Sequence, residues 1–138
     1  MSNLKLTYDG DQHVTGVKEP NHNIVAIDCP YTGKGDEFSP ASLLGISLAS
    51  CMLLSMGAIA QHHDLDLRGT VVDIELTGMD KRLPHVDTIT MAFNIPRDFS
   101  AADREMLERT AYICPIMACF CADTRITATF EYDDAKAA

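Results

Sequence analysis

The 138-residue chain contains 46% hydrophobic and 22% charged residues, proportions typical of a soluble globular protein. Its length fits one domain, and its composition excludes a disordered chain, a collagen-like repeat and a small disulfide-dense protein. Twenty acidic and eleven basic residues give a net charge of −9, which argues against nucleic acid or an anionic membrane surface as a partner. We expect a single domain over residues 1–138, with a flexible tail at 133–138.

The cysteines and the N-terminus favour a reducing compartment. Five cysteines fit a set of paired disulfides badly, because the number is odd. The first residues, MSNLKLTYDGDQ, lack the basic region, apolar run and small-residue cleavage site of a secretory signal. We therefore expect a cytoplasmic protein, in which a cysteine pair is more often catalytic or redox-sensing than structural.

The N-terminal part is predicted to form three short strands. Leu4, Leu6 and Tyr8 alternate along one face of the first strand, and a turn signal follows at 9–11. The second strand, the third strand and the loop after them are predicted at His13–Lys18, Asn23–Asp28 and 29–38.

A long apolar helix is predicted after Ser39-Pro40, where the serine can cap free amides and the proline loses no hydrogen bond. No charged residue occurs from Phe38 to Gln61, a length that could span a membrane. Small and polar residues interrupt this stretch and no basic residues flank it, so we expect a buried helix and no membrane contact. A 138-residue monomer rarely buries such a helix completely, which favours a dimer.

The second half of the chain alternates strands with helices. Residues 70–79 and 89–95 alternate apolar and polar side chains as two strands, with a turn at 80–84. Ser100 is predicted to cap a second helix, which Pro115 must break or kink. A short helical piece and a final strand are predicted at 116–122 and Arg125–Tyr132. Together these elements predict an α+β fold in the order β-β-β-α-β-β-α-β, with mainly antiparallel pairing.

Two cysteines are candidates for chemistry. Cys114 precedes Pro115, and if a helical segment starts there, free amides would favour its thiolate. Cys51 lies inside the long helix, where the helix dipole gives little help, so local physics alone makes Cys114 the better nucleophile. The alternative is that both are inert buried thiols, since cysteine is among the most buried residue types.

The other cysteines carry no clear chemical signal. The spacing of Cys119 and Cys121 after Cys114 matches no common zinc site, and core packing explains the two better. Cys29 has no readable role in its loop. Because the sequence also contains no phosphate-binding or dinucleotide-binding motif, we expect neither a metal nor a cofactor.

Two segments resemble the OsmC/Ohr family (osmotically induced protein C and organic hydroperoxide resistance proteins). One is SPASLLGISLASC, which ends at Cys51, and the other is AYICPI, which carries Cys114 sixty-three positions later. The order of elements agrees along nearly the whole chain. The resemblance implies an intertwined homodimer, with long central helices packed between the sheets and active sites at the subunit interface.

The resemblance also implies an activity. In the family's peroxidases the first cysteine, here Cys51, attacks an organic hydroperoxide as a thiolate and becomes a sulfenic acid. The second, here Cys114, resolves this acid to a disulfide, which a dithiol reductant then reduces. The site residues implied for this chain are therefore Cys51 and Cys114.

The sequence departs from the family's peroxidases at two positions. Their glutamate ten residues before the first cysteine is replaced here by Ala41, and their N-terminal arginine is missing, because the first arginine in this chain is Arg68. A basic group could be supplied instead by one of three residues, Lys18, His22 or Lys34.

Three functions stay open at this stage. The first is a thiol-dependent peroxidase that uses Cys51 and Cys114. The second is a dimer without peroxidase activity that binds a small apolar ligand at the subunit interface. The third is a redox-responsive or structural dimer.

Overall fold

The computed structural model of the protein describes residues 3–78 and 86–133. By its internal contacts the chain divides into two compact units, Met1–Leu44 and Gly45–Ala138. The order of strands and long helices is the predicted β-β-β-α-β-β-α-β. The turn predicted at 80–84, and the predicted tail beyond Asp133, lie outside the described residues. The single domain over 1–138 stays a prediction.

The N-terminal unit is built on one antiparallel sheet. Its strands are β1 (Leu4–Gly10), β2 (His13–Lys18) and β3 (Asn23–Asp28), which lie side by side in chain order. The β1–β2 turn places Asp11 and Gln12 at positive φ. After β3 the chain loops back, and the amide of Asp28 donates to the carbonyl oxygen of Phe38 at 3.0 Å.

The long helix α1 (Pro40–His62) begins where the sequence predicts. Ser39 caps it, because its Oγ accepts a hydrogen bond from the amide of Ser42 at 3.0 Å. One face of the helix is buried, and Leu54 on another face is 74% exposed. The helix is long and apolar enough to cross a membrane by composition, but one third of its most apolar window is buried within the protein. The buried residues of α1 are Gly45, Leu48, Ala49, Met52, Met56 and Ala60.

The C-terminal unit has a second three-stranded sheet, formed by β4 (Val71–Thr77), β5 (Thr88–Ile95) and β6 (Arg125–Tyr132). Strand β5 lies in the centre, antiparallel to β4 and parallel to β6. The parallel pair follows from the long connection through a second helix, because a short turn can join only antiparallel strands. This helix, α2 (Ala101–Ala111), is capped by Ser100 as predicted.

The segment after α2 is less helical than the sequence predicts. Instead of a helical piece over 116–122, the structure has one 3-10 turn at Met117–Cys119. Phe120 then takes an extended backbone, with φ −81° and ψ 148°, which ends the turn. The chain turns once more, where the amide of Thr124 donates to the carbonyl oxygen of Cys121, and enters β6.

Candidate thiol site

Cys51 and Cys114 come from two separate elements of the C-terminal unit. Cys51 is a half-buried residue of α1, next to the fully buried Met52. Cys114 lies in the segment after α2, just before Pro115, and is only 7% exposed. Because Cys114 belongs to the same hydrophobic core that Cys51 packs against, the fold brings the two thiols to one place.

The two thiol side chains lie close enough to interact, because the Cys51 side chain raises the pKa of Cys114. Ser55, one helical turn after Cys51, supports this arrangement. Its hydroxyl donates to the carbonyl oxygen of Cys51 at 2.9 Å and lies 3.5 Å from the carbonyl oxygen of Ile113. These contacts hold the residue before Cys114 against the helix that carries Cys51.

The environment of Cys114 raises the pKa of its thiol. Burial is the largest cause, and the interaction with the Cys51 side chain acts in the same direction. The amides of Met117 and Ile116 lower this pKa, as the sequence predicts for a residue at the start of a helical turn. Since burial outweighs them, the pKa of Cys114 is raised and not lowered as the local sequence predicts. Which of the two cysteines is the nucleophile stays a prediction. A raised pKa suits a thiol that stays protonated.

No basic side chain in the described part of the chain contributes to the pKa of Cys114. Three arginines of the C-terminal unit pair with carboxylates instead: Arg68 with Asp66 at 2.8 Å, Arg109 with Glu105 at 3.3 Å, and Arg104 with Asp98. These three arginines are thus engaged in local ion pairs.

Lys18, His22 and Lys34, the three residues that could replace the missing arginine, all belong to the N-terminal unit. His22 lies 3.5 Å from Glu19, and Lys34 lines a cavity together with several carboxylates. Lys18 is at the end of β2, opposite Asn23 of β3. Ala41 lies in the first turn of α1 and brings no carboxylate.

Three further cysteines are free thiols in different environments. Cys119 and Cys121 are exposed, so the prediction that they pack in the core was wrong. Cys119 is the last residue of the short turn and Cys121 follows it, in place of a longer helical piece. A hydrogen bond with the Thr124 hydroxyl is the main cause of a lowered pKa at Cys121. Among the described residues, no group of three or more histidine, cysteine and acidic side chains could hold a metal ion.

The environment of Cys29 was missed by the sequence analysis. Its pKa is lowered, first by the Thr32 hydroxyl and then by the amides of Tyr31 and Thr32. The segment CPYTG carried a signal for this, because proline and glycine favour a tight turn whose amides can point back at the first side chain.

Comparison with known families identifies the fold. The family described as OsmC-like protein matches residues 33–129, a range that holds both Cys51 and Cys114 and covers more than half of the chain. The chain belongs to the OsmC-like protein family. No curated protein sequence matches it significantly.

Solved structures of OsmC-like proteins share the architecture over nearly the full chain. A protein of Psychrobacter arcticus, assigned to osmotic stress induction and detoxification response, is 28% identical, with a TM-score of 0.87 and coverage of 95% of this chain and 96% of the other. An OsmC-like protein of Mycoplasma pneumoniae is 14% identical, with a TM-score of 0.78 and 96% coverage of both chains. The organic hydroperoxide resistance protein OhrB of Bacillus subtilis is 12% identical, with a TM-score of 0.69 and coverage of 95% and 98%. The apolar helix α1 is therefore a helix of a soluble fold.

Proposed function

We propose that this OsmC-like protein is a thiol-dependent redox enzyme that reduces organic hydroperoxides with Cys51 and Cys114. The observation that carries the proposal is that the two thiols, from different elements of one unit, meet at one core and interact with each other. Cys51 is half-buried and Cys114 is buried, so Cys51 is the sulfur that a substrate reaches first. An organic hydroperoxide resistance protein among the structural neighbours supports the choice of substrate class.

The first chemical step is the reduction of the hydroperoxide by Cys51. The thiolate attacks one oxygen of the O–O bond, so that an S–O bond forms while the O–O bond breaks. The departing alkoxide takes up a proton and leaves as an alcohol. Two electrons pass from sulfur to the substrate, and Cys51 becomes a sulfenic acid.

Cys114 then closes a disulfide. Its sulfur attacks the Cys51 sulfur, an S–S bond forms, and the hydroxyl group leaves as water with the proton from Cys114. Because both thiols lie at one core and interact with each other, this step requires little movement. A dithiol reductant restores both thiols by two successive exchanges and leaves as its own disulfide.

A second function is favoured because no charged side chain among the described residues contributes to the pKa of Cys114. Ala41 supplies no carboxylate, and no basic side chain among the described residues lowers the pKa of Cys114. Next to Cys114, Ile113 is 74% exposed and Tyr112 is also exposed. An apolar surface of this kind suits the binding of a small apolar ligand without turnover, and a redox-responsive dimer would use the same thiol pair.

We further propose that the protein is a cytoplasmic homodimer. Large apolar side chains are exposed on each of the two units among the described residues. Leu4, Leu6 and Tyr8 lie on one face of β1 in the N-terminal unit, and Leu54 lies on α1. A second copy of the chain would cover such surfaces. Light scattering should give twice the mass of the chain, and a stable monomer would contradict the dimer.

Hydroperoxide consumption tests the proposed activity. Reduced protein is mixed with cumene hydroperoxide and dihydrolipoamide, and loss of peroxide is followed over time. Cys51→Ser should abolish consumption, and Cys114→Ser should allow a single turnover without disulfide closure. Cys119→Ser, which changes an exposed thiol outside the pair, serves as the matched control and should keep full activity.

Two results would contradict the peroxidase. Equal steady-state activity in Cys51→Ser and Cys114→Ser would remove the thiol pair from the mechanism. If the unmodified protein consumes no more peroxide than Cys51→Ser, binding of a small apolar ligand becomes the better explanation of the function. Native mass spectrometry should then show a co-purified small molecule.

A further inference from the structure

A cavity of about 360 Å³ lies entirely within the N-terminal unit and shares no residue with the thiol pair. It is bounded by the β1–β2 turn, by the end of β3 and by the loop that leads to α1. The lining residues that bear charge or can acquire it are Asp9, Asp11, His13, Asp28, Lys34, Asp36 and Glu37.

Asp28 is the unusual member of this cavity, because it is a carboxylate that is only 5% exposed. One of its oxygens, Oδ2, accepts a hydrogen bond from the amide of Asp36 at 3.0 Å. The other, Oδ1, is buried and has no hydrogen-bond partner among the described residues. A buried carboxylate oxygen without a donor is unfavourable, so this position calls for a hydrogen-bond donor.

The charge around Asp28 favours a cation. Five carboxylates line the cavity, whereas Lys34 is its single lysine. Asp9 is already engaged, since its Oδ2 lies 2.8 Å from His13 Nδ1 and accepts a hydrogen bond from the Thr15 hydroxyl at 2.6 Å. The remaining carboxylates leave an excess of negative charge that attracts positively charged molecules.

We propose that this cavity binds an organic cation that donates N–H groups, with Asp28 as its buried carboxylate. A bare metal ion fits less well, because the described residues include no group of three or more ligands placed to hold one. An ammonium or guanidinium group requires fewer protein acceptors and supplies the donor that Asp28 Oδ1 lacks. The cavity is also larger than a single ion requires.

Nuclear magnetic resonance on the full chain tests the site, with the Asp36 amide as reporter because it donates to Asp28. Butylamine and methylguanidine are the probes, and tetramethylammonium is the control, because it carries the charge without any N–H donor. We expect a saturable shift of the Asp36 signal with both probes and none with tetramethylammonium.

Variants separate the site from general attraction to an acidic protein. Asp28→Asn should weaken binding of butylamine by about tenfold, because it removes the charge and keeps the acceptor for the Asp36 amide. Lys34→Met should strengthen binding, because it removes a competing cation from the cavity. Glu131→Gln, which removes one negative charge from an exposed position on β6, should leave the affinity unchanged.

Four results would overturn the cation site. Two concern the Asp36 signal: no saturable shift with either probe, or an equal shift with tetramethylammonium. A third is an unchanged affinity for butylamine in both Asp28→Asn and Lys34→Met. The fourth is a response to calcium or magnesium ions but not to the amines. If Asp28→Asn does not fold, the increase expected for Lys34→Met decides the question alone.

Discussion

Strand β5 of the C-terminal sheet buries Ile89, Met91 and Phe93 completely, whereas β1 of the N-terminal sheet leaves Leu4 and Leu6 largely exposed. Both strands show the same alternation of apolar and polar residues. The C-terminal sheet has helices within its own unit to pack against, since α1 and α2 contribute to one core with β5. Among the described residues the apolar face of β1 stays exposed, which is why we propose that a second copy of the chain covers it.

The largest effect is expected in the core of the C-terminal unit. Phe93→Ala should lower the free energy of unfolding by roughly 3–5 kcal/mol, because it removes a fully buried ring that stacks on Phe130 at 4.8 Å. Urea denaturation followed by circular dichroism measures this change. A loss below about 1 kcal/mol would show that β5 is not the centre of the stable core.

A different kind of effect is expected in the N-terminal sheet. Leu6→Asp should weaken association of the two copies by at least about tenfold, because it places a charge in the surface proposed to be buried between them. Analytical ultracentrifugation over a dilution series measures the dissociation constant. Thr7→Asp, which adds the same charge on the opposite face of β1, should leave the dimer intact. Equal dissociation in the two variants would contradict the assignment of the apolar face to the interface.

The smallest expected effect concerns the reactivity of the thiols in the two units. A lowered pKa gives a larger thiolate fraction at a given pH, so Cys29 in the N-terminal unit and Cys121 in the C-terminal unit should react with iodoacetamide at lower pH than Cys114. Mass spectrometry of peptides labelled between about pH 6 and pH 9 gives the three profiles. In urea, where the folded environments are lost, the three profiles should coincide. If Cys114 in the folded protein is labelled at as low a pH as Cys121, the effect of burial on its pKa is contradicted.

Much of the fold could be predicted from the sequence because its elements have strong local signals. The bounds of β2 and β3 agree with the predicted runs, whereas β1 extends to Gly10, into the turn predicted at 9–11. Ser39-Pro40 and Ser100 mark the starts of the two helices. The parallel pairing of β5 with β6 was not predicted, because pairing depends on the path of the connection through α2 rather than on residues within the strands.

The site was harder to predict than the fold. The family resemblance selected Cys51 and Cys114, and the structure places both at one hydrophobic core. The direction in which the pKa of Cys114 shifts could not be derived from the neighbouring residues alone. The amides of the following turn can be anticipated from the sequence, whereas burial depends on tertiary packing. The exposure of Cys119 and Cys121 was missed for the same reason, since a turn of three residues replaces the longer helical piece.

The most direct test of the account is to identify the disulfide that forms when reduced protein is treated with one equivalent of cumene hydroperoxide. Peptide mapping by mass spectrometry, after acid quenching, locates the bond. We predict a single disulfide that joins Cys51 to Cys114, with Cys29, Cys119 and Cys121 still reduced. A disulfide between other cysteines, or free thiols at both Cys51 and Cys114, would contradict their assignment as the redox pair.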